Sequence, residues 1–115
     1  MSYNPSQPYV LEFINEQVEA DIDEWPRGIL FAFDQIIHRM VEHGPNLGMP
    51  YTRPFGKGLF EIRARGPEGI GRAFFCTLIG RRIIVLHGFI KKTQETPPHE
   101  IQIARKRQKE LQSVR

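Results

Sequence analysis

Cysteine is almost missing from this 115-residue chain, where Cys76 stands alone. A single thiol cannot close an internal disulfide, and it excludes zinc sites built on several thiolates. Long apolar runs are missing too: no stretch approaches the roughly 20 consecutive apolar residues that a bilayer-spanning helix needs. The opening residues Met1-Ser2-Tyr3-Asn4-Pro5 lack the basic and apolar blocks of a secretory leader. The expectation is a cytoplasmic protein without a membrane partner. Histidine is sparse, with four scattered residues and no acidic cluster beside them, a poor donor set for a metal ion. Neither a metal nor any other cofactor is expected. Basic residues are scarce only in the first half. Residues 1–50 hold two basic and eight acidic side chains, a net of −6, whereas residues 51–115 hold fourteen basic and five acidic ones, a net of +9. A half so basic suits a polyanion such as RNA, DNA or an acidic protein segment. A merely solvated surface is the plain alternative.

Hydrophobic residues make up 40% of the chain, enough to bury a core in one domain over residues 1–115, with residues 1–8 loose. Tyr9–Ile14 reads as a short strand. Asn15 can cap a following helix, with Glu16 and Glu19 near its positive end, and Trp25-Pro26 breaks it. Ile29, Phe33, Ile36, Ile37 and Met40 recur at helical spacing over 27–43, and Gly44-Pro45 ends that helix. A Gly- and Pro-rich loop carrying Tyr51, Arg53 and Lys57 is expected over 44–58. Strands are expected at Leu59–Arg65, Ile70–Ile79 and Arg82–Ile90, joined by short turns into an antiparallel meander. Pro97-Pro98 then opens a helix over about 98–112.

The turns set a register. A four-residue first turn places Arg63 opposite Arg72, and a two-residue second turn places Ile79 opposite Arg82, Arg72 opposite Phe89 and Phe74 opposite His87. Side chains alternate between faces. One face then carries Phe60, Ile62, Ala64, Ala73, Phe75, Thr77, Ile79, Arg82, Ile84, Leu86 and Ile90, and should pack on the helices. The other carries Glu61, Arg63, Arg65, Arg72, Phe74, His87, Phe89 and Lys91 at one end. At its far end Cys76, Leu78, Ile83 and Val85 should lie under another element. Like charges directly opposed across strands are destabilising, so Arg63 and Arg72 call for a carboxylate between them or an anion to bind. Glu61 is the candidate carboxylate; a phosphate is the candidate anion. Cations beside the flat rings of Phe74, Phe89 and His87 suit single-stranded nucleic acid.

Three runs carry a resemblance: GLFEIR from Gly58, RAFF from Arg72 and LHGFIKKTQETPPHEI from Leu86, the last being the most specific. Over roughly residues 9–112 the chain resembles the phage-derived HigB-like toxins of the RelE/ParE superfamily. The resemblance implies an α+β, RelE-like fold: an N-terminal helical hairpin on a small, mainly antiparallel sheet, with a C-terminal helix. It implies the toxin of a type II toxin–antitoxin system, a metal-independent endoribonuclease (mRNA interferase) acting on messenger RNA at the ribosome. The implied partner is a helix-turn-helix antitoxin, through which alone DNA would be reached. By position, Arg72 matches the family arginine that contacts the scissile phosphate. Arg63 and Arg65 match a basic strand position, and Lys91 or Lys92 a basic position at the end of the last strand. The chain departs from many relatives in having no Tyr or His directly after that strand, for His99 already starts the helix. Glu61 and His87 are then the acid–base candidates. Lys57, Arg65, Phe74, Phe89, Arg105 and Lys106 are the candidate RNA-binding residues. Two other readings stay open: a ParE-like poison of gyrase, and a non-catalytic relative that binds RNA or antitoxin.

Overall fold

The computed structural model describes residues 8–91 and 96–113. Residues 1–7 of the expected loose segment, and Lys92, lie outside them. The elements are β1 (Val10–Phe13), α1 (Glu16–Asp23), α2 (Arg27–His43), β2 (Thr52–Gly56), β3 (Leu59–Gly66), β4 (Gly69–Leu78), β5 (Arg82–Lys91) and α3 (Pro98–Ser113). The start of α1 is fixed by Asn15, whose side chain accepts a 2.9 Å hydrogen bond from Val18 N and so satisfies one of the free amides of the first turn. Gly44, at φ 102°, closes α2 in a conformation that costs a side-chain-bearing residue strain.

The strands form one five-stranded sheet in the order β1-β5-β4-β3-β2. β2 to β5 are antiparallel neighbours, while β1 runs parallel to β5, with Val10 opposite Arg82 and Phe13 opposite Val85. β2 corrects the expected 44–58 loop: Thr52, Arg53 and Pro54 pair with Ile62, Glu61 and Phe60. Pro54 is tolerated because β2 is an edge strand, where a missing N–H breaks no interior ladder. Lys57 and Gly58 have φ 55° and 80°, the two positive values that a tight hairpin turn of the primed kind requires.

α1 and α2 cover one face of the sheet. α1 packs on β5 and β1, and α2 on β3, β4 and β1. Both helices lie between β1 and β2 in the chain, and their principal packing is to the sheet. Val18, Ile22, Trp25, Ile29, Phe33, Ile36 and Met40 meet Ile62, Ala64, Ala73, Phe75, Ile83 and Val85 in the larger core. Gly66 and Gly71 permit this closeness. A Cβ on Gly66 would lie 2.5 Å from Ile29 N, and one on Gly71 would lie 2.6 Å from the Trp25 ring. α3 lies on the opposite face, over Leu59, Phe74, Cys76, Ile84 and Leu86.

The pairings Arg63–Arg72, Arg72–Phe89 and Phe74–His87 stand as expected, and the second half of the last hairpin does not. Leu78, not Ile79, faces Arg82, and the register shifts between Phe74 and Phe75. The turn is one residue longer than expected, and the bulge absorbs that residue. Beyond the bulge every β5 side chain changes face. Ile83 and Val85 therefore enter the α1/α2 core, and Ile84 and Leu86 go under α3, the reverse of the sequence expectation. Ile79 is 85% exposed at the turn, and Arg82 pairs with Glu12 on β1 instead of packing under a helix. Cys76 and Leu78 lie on the α3 face as expected.

Candidate nucleic-acid interface

α3 covers the turn end of its face and leaves the other end to charged residues. At that end β3 carries Glu61 and Arg63, β4 carries Arg72, and the edge strand β2 brings in Arg53. Arg72 Nη1 donates to Glu61 Oε1 at 2.6 Å. The same oxygen lies 3.4 Å from Arg53 Nη2 and 3.8 Å from Arg63 Nη1. Glu61 and Arg72 are buried, at 0% and 1% exposure, whereas the Arg53 side chain is 40% and the Arg63 side chain 18% exposed. Glu61 is thus the carboxylate that the opposed arginines called for. It cannot neutralise all of them. Burial, then the Arg72 charge, push Arg63 below the ordinary guanidinium range, against the pull of Glu61. Lys91, two residues beyond the Arg72 partner Phe89, is held below the ordinary lysine range by burial and then by Arg72, with Arg63 and Arg53 adding to the repulsion. Among the described residues, three arginines share one carboxylate oxygen with Lys91 near them, which leaves an unbalanced local charge. Arg53 Nε and Arg72 Nε are, moreover, buried donors without an acceptor among the described residues, and Glu61 Oε2 is a buried acceptor without a donor.

Aromatic rings line the cluster. Arg53 lies over the Phe55 ring at 4.8 Å, Phe55 meets Phe74 edge to face, and Phe74, Phe89 and His87 stack in turn. Phe74 is wholly buried, so it supports the ring of Phe89 instead of presenting its own surface. His87 Nε2 lies 2.6 Å from Glu100 Oε1 in the first turn of α3, both side chains being 16% exposed. Glu100 carries no distinguishing signal in the sequence. An acid in a first helical turn is common enough to pass as a dipole partner, and only the packing of α3 brings it to β5. Arg53 is likewise obscure in the sequence, because the Pro and Gly beside it are marks of a loop; the Glu61 opposite it is the signal that points to it.

The remaining candidates sit apart from the cluster. Lys57 is exposed in the β2–β3 turn. Arg105 donates to the carbonyls of Phe55 and Gly56 at 2.9 Å each, which braces α3 against β2. Arg107 donates to Leu86 O and Gln108 to Lys57 O, adding two further hooks. Lys106 is exposed on α3, and Arg65 is exposed on β3. No helix among the described residues is long and apolar enough to cross a membrane.

The fold and the site define a small α+β protein whose sheet carries a compact, cation-rich face. More particularly, the chain belongs to the family of phage-derived Gp49-like proteins (DUF891), whose model matches residues 20–109. That family is RelE-like and associated with the toxins of toxin–antitoxin systems. No curated protein matches the chain.

Proposed function

We propose that the chain is the HigB-like toxin of a type II pair, a cytoplasmic endoribonuclease that cuts messenger RNA on the ribosome and is silenced by a helix-turn-helix antitoxin. The observation that carries this reading is the cluster itself: Arg53, Arg63 and Arg72 around one Glu61 oxygen, with Lys91 beside them. Planar guanidiniums match phosphate oxygens by paired hydrogen bonds, and fixed cations in a partly dry site stabilise the charge that grows on a phosphoryl group under attack.

In the reaction, the 2′-oxygen of the RNA attacks the adjacent phosphorus. The O2′–P bond forms and the P–O5′ bond breaks, leaving a 2′,3′-cyclic phosphate and a free 5′-hydroxyl. The proton of the 2′-hydroxyl goes to a base, and the leaving O5′ receives one from an acid. His87 is the group for proton transfer, and Glu100 is its positioning residue, fixing the ring by the 2.6 Å contact. Glu61 orients the arginines.

A second reading, a non-catalytic RNA binder, draws on the same geometry, because Arg72 and Glu61 spend their shortest contact on each other in the interior. One experiment separates the two: expression of the chain and of the Arg63→Ala/Lys91→Ala variant, which leaves the buried pair intact, with cellular RNA ends mapped. The nuclease reading expects growth arrest with new messenger ends, both lost in the variant. Arrest without new RNA ends overturns it. RNA binding alone then points to the non-catalytic protein, and DNA breaks at gyrase sites to a gyrase poison.

A further inference from the structure

On the far side of Arg63 from Glu61 lies a cleft of about 360 Å³ between α2 and the part of β3 that extends beyond its pairing with β2. That volume is within the ordinary range for small-molecule sites. Arg39, Arg63 and Arg65 stand in its walls, and no Asp or Glu is among the described residues that line it. Arg65 has no carboxylate within 4.0 Å among the described residues, and the nearest to Arg63 is the shared Glu61 oxygen at 3.8 Å. Ile36 and Ile70 give the cleft an apolar floor. Arg39 lies over the Tyr51 ring, 5.3 Å from its centre, so a guanidinium and an aromatic ring already meet in the lining. Gln35 adds an amide with both donor and acceptor capacity.

We infer that this cleft seats the base of a nucleotide adjoining the phosphate held at the Glu61 cluster. The inference rests on the RNA reading above for the source of its ligand, single-stranded RNA. Arg63 belongs to both places and so joins them: a phosphate on its guanidinium has the cluster on one side and the cleft on the other. Unpaired bases stack on tyrosine rings and on arginine planes, and they offer their edges to side-chain amides. An apolar floor accepts the face of a base, and one-signed walls accept the flanking phosphates. Tyr51 and Arg39 are the binding residues, and Gln35 is the residue that discriminates among bases.

The test uses the full chain and three probes: inorganic phosphate, the four nucleosides, and the four nucleoside 3′-monophosphates, with affinities from calorimetry and contact residues from NMR shifts. At least one monophosphate binds about tenfold or more tightly than phosphate, as expected of a stacked base. Tyr51→Ala, at an accessible position, removes most of that advantage while leaving phosphate affinity and Tm unchanged, and Arg39→Ala, also accessible, removes most of it while leaving Tm unchanged. Gln35→Ala narrows the spread among the four bases. Monophosphates that bind no better than phosphate, or variants that leave nucleotide affinity unchanged, overturn the inference. So does hexaglutamate shifting the cleft residues where nucleotides do not, which would make the cleft a seat for an acidic protein segment. Nucleosides that shift the cleft residues while phosphate leaves Arg63 and Lys91 unmoved would sustain the base site and sink the phosphate reading instead.

Discussion

Arg72 Nη1 and Glu61 Oε1 meet at 2.6 Å inside the protein, the guanidinium and the carboxylate both shut away from water. Two buried charges are tolerable only because each answers the other, and the cross-strand neighbours Arg63 and Arg53 share the same carboxylate oxygen. The pair therefore holds the cluster in shape.

Removing one member leaves the other buried and unanswered. Glu61→Ala and Arg72→Ala should each destabilise the fold by about 3–5 kcal/mol, the usual consequence of breaking a buried ion pair. The double variant Glu61→Leu/Arg72→Met should recover much of that loss, because no charge is then stranded. Urea denaturation of the four proteins checks this, and additive losses would contradict it.

Lys91 should behave oppositely. Its folded pKa lies below the unfolded one, so the folded state releases its proton first and stability rises with pH as the medium approaches the ordinary lysine range from below. Lys91→Met should thus leave Tm near neutral pH unchanged or slightly higher, while weakening RNA binding and lowering the salt slope by about 1. An unchanged salt slope would remove Lys91 from the RNA face.

Arg105 gives two charged hydrogen bonds to the carbonyls of Phe55 and Gly56. Arg105→Ala should cost roughly 1.5–3 kcal/mol, since bonds to a charged group fall in that range. Hydrogen exchange should quicken in β2 and α3 and remain slow in β4. A large loss of RNA affinity at unchanged stability would show Arg105 to be an RNA contact before a brace.

Cys76 is 2% exposed, and burial raises its thiol pKa, so little thiolate is present near neutrality. Alkylation by iodoacetamide should be slow in the native protein and at least a hundredfold faster in denaturant. Fast native labelling would mean that α3 lifts from the sheet readily.

The meander shows what local chemistry can specify. The turn Gly66-Pro67-Glu68-Gly69 and the alternation of β3 and β4 placed Arg63 opposite Arg72, and the opposition of like charges already demanded Glu61 or an anion. β2 escaped notice because Thr52–Gly56 contains Pro and Gly, which mark loops in general, although an edge strand accepts them. The β4–β5 bulge escaped notice because a turn one residue longer, compensated by one bulged residue, leaves the far end of the hairpin in register. Only the face of Ile83 to Leu86 betrays it.

The sequence by itself determined the helices, the meander, the Arg63–Arg72 opposition and the basic half, since periodicity, capping and turn chemistry act over a few residues. Tertiary structure decided what those charges do. It brought Arg53 to Glu61 across an edge strand, Glu100 to His87 through the docking of α3, and Arg39 with Tyr51 to the far side of Arg63. Each of these juxtapositions joins elements that follow one another in the chain, yet how those elements dock is driven by burial of apolar faces, which carries no information about pairing between individual polar side chains. Sequence reasoning could therefore name cations and rings, but only packing could place them around one carboxylate oxygen.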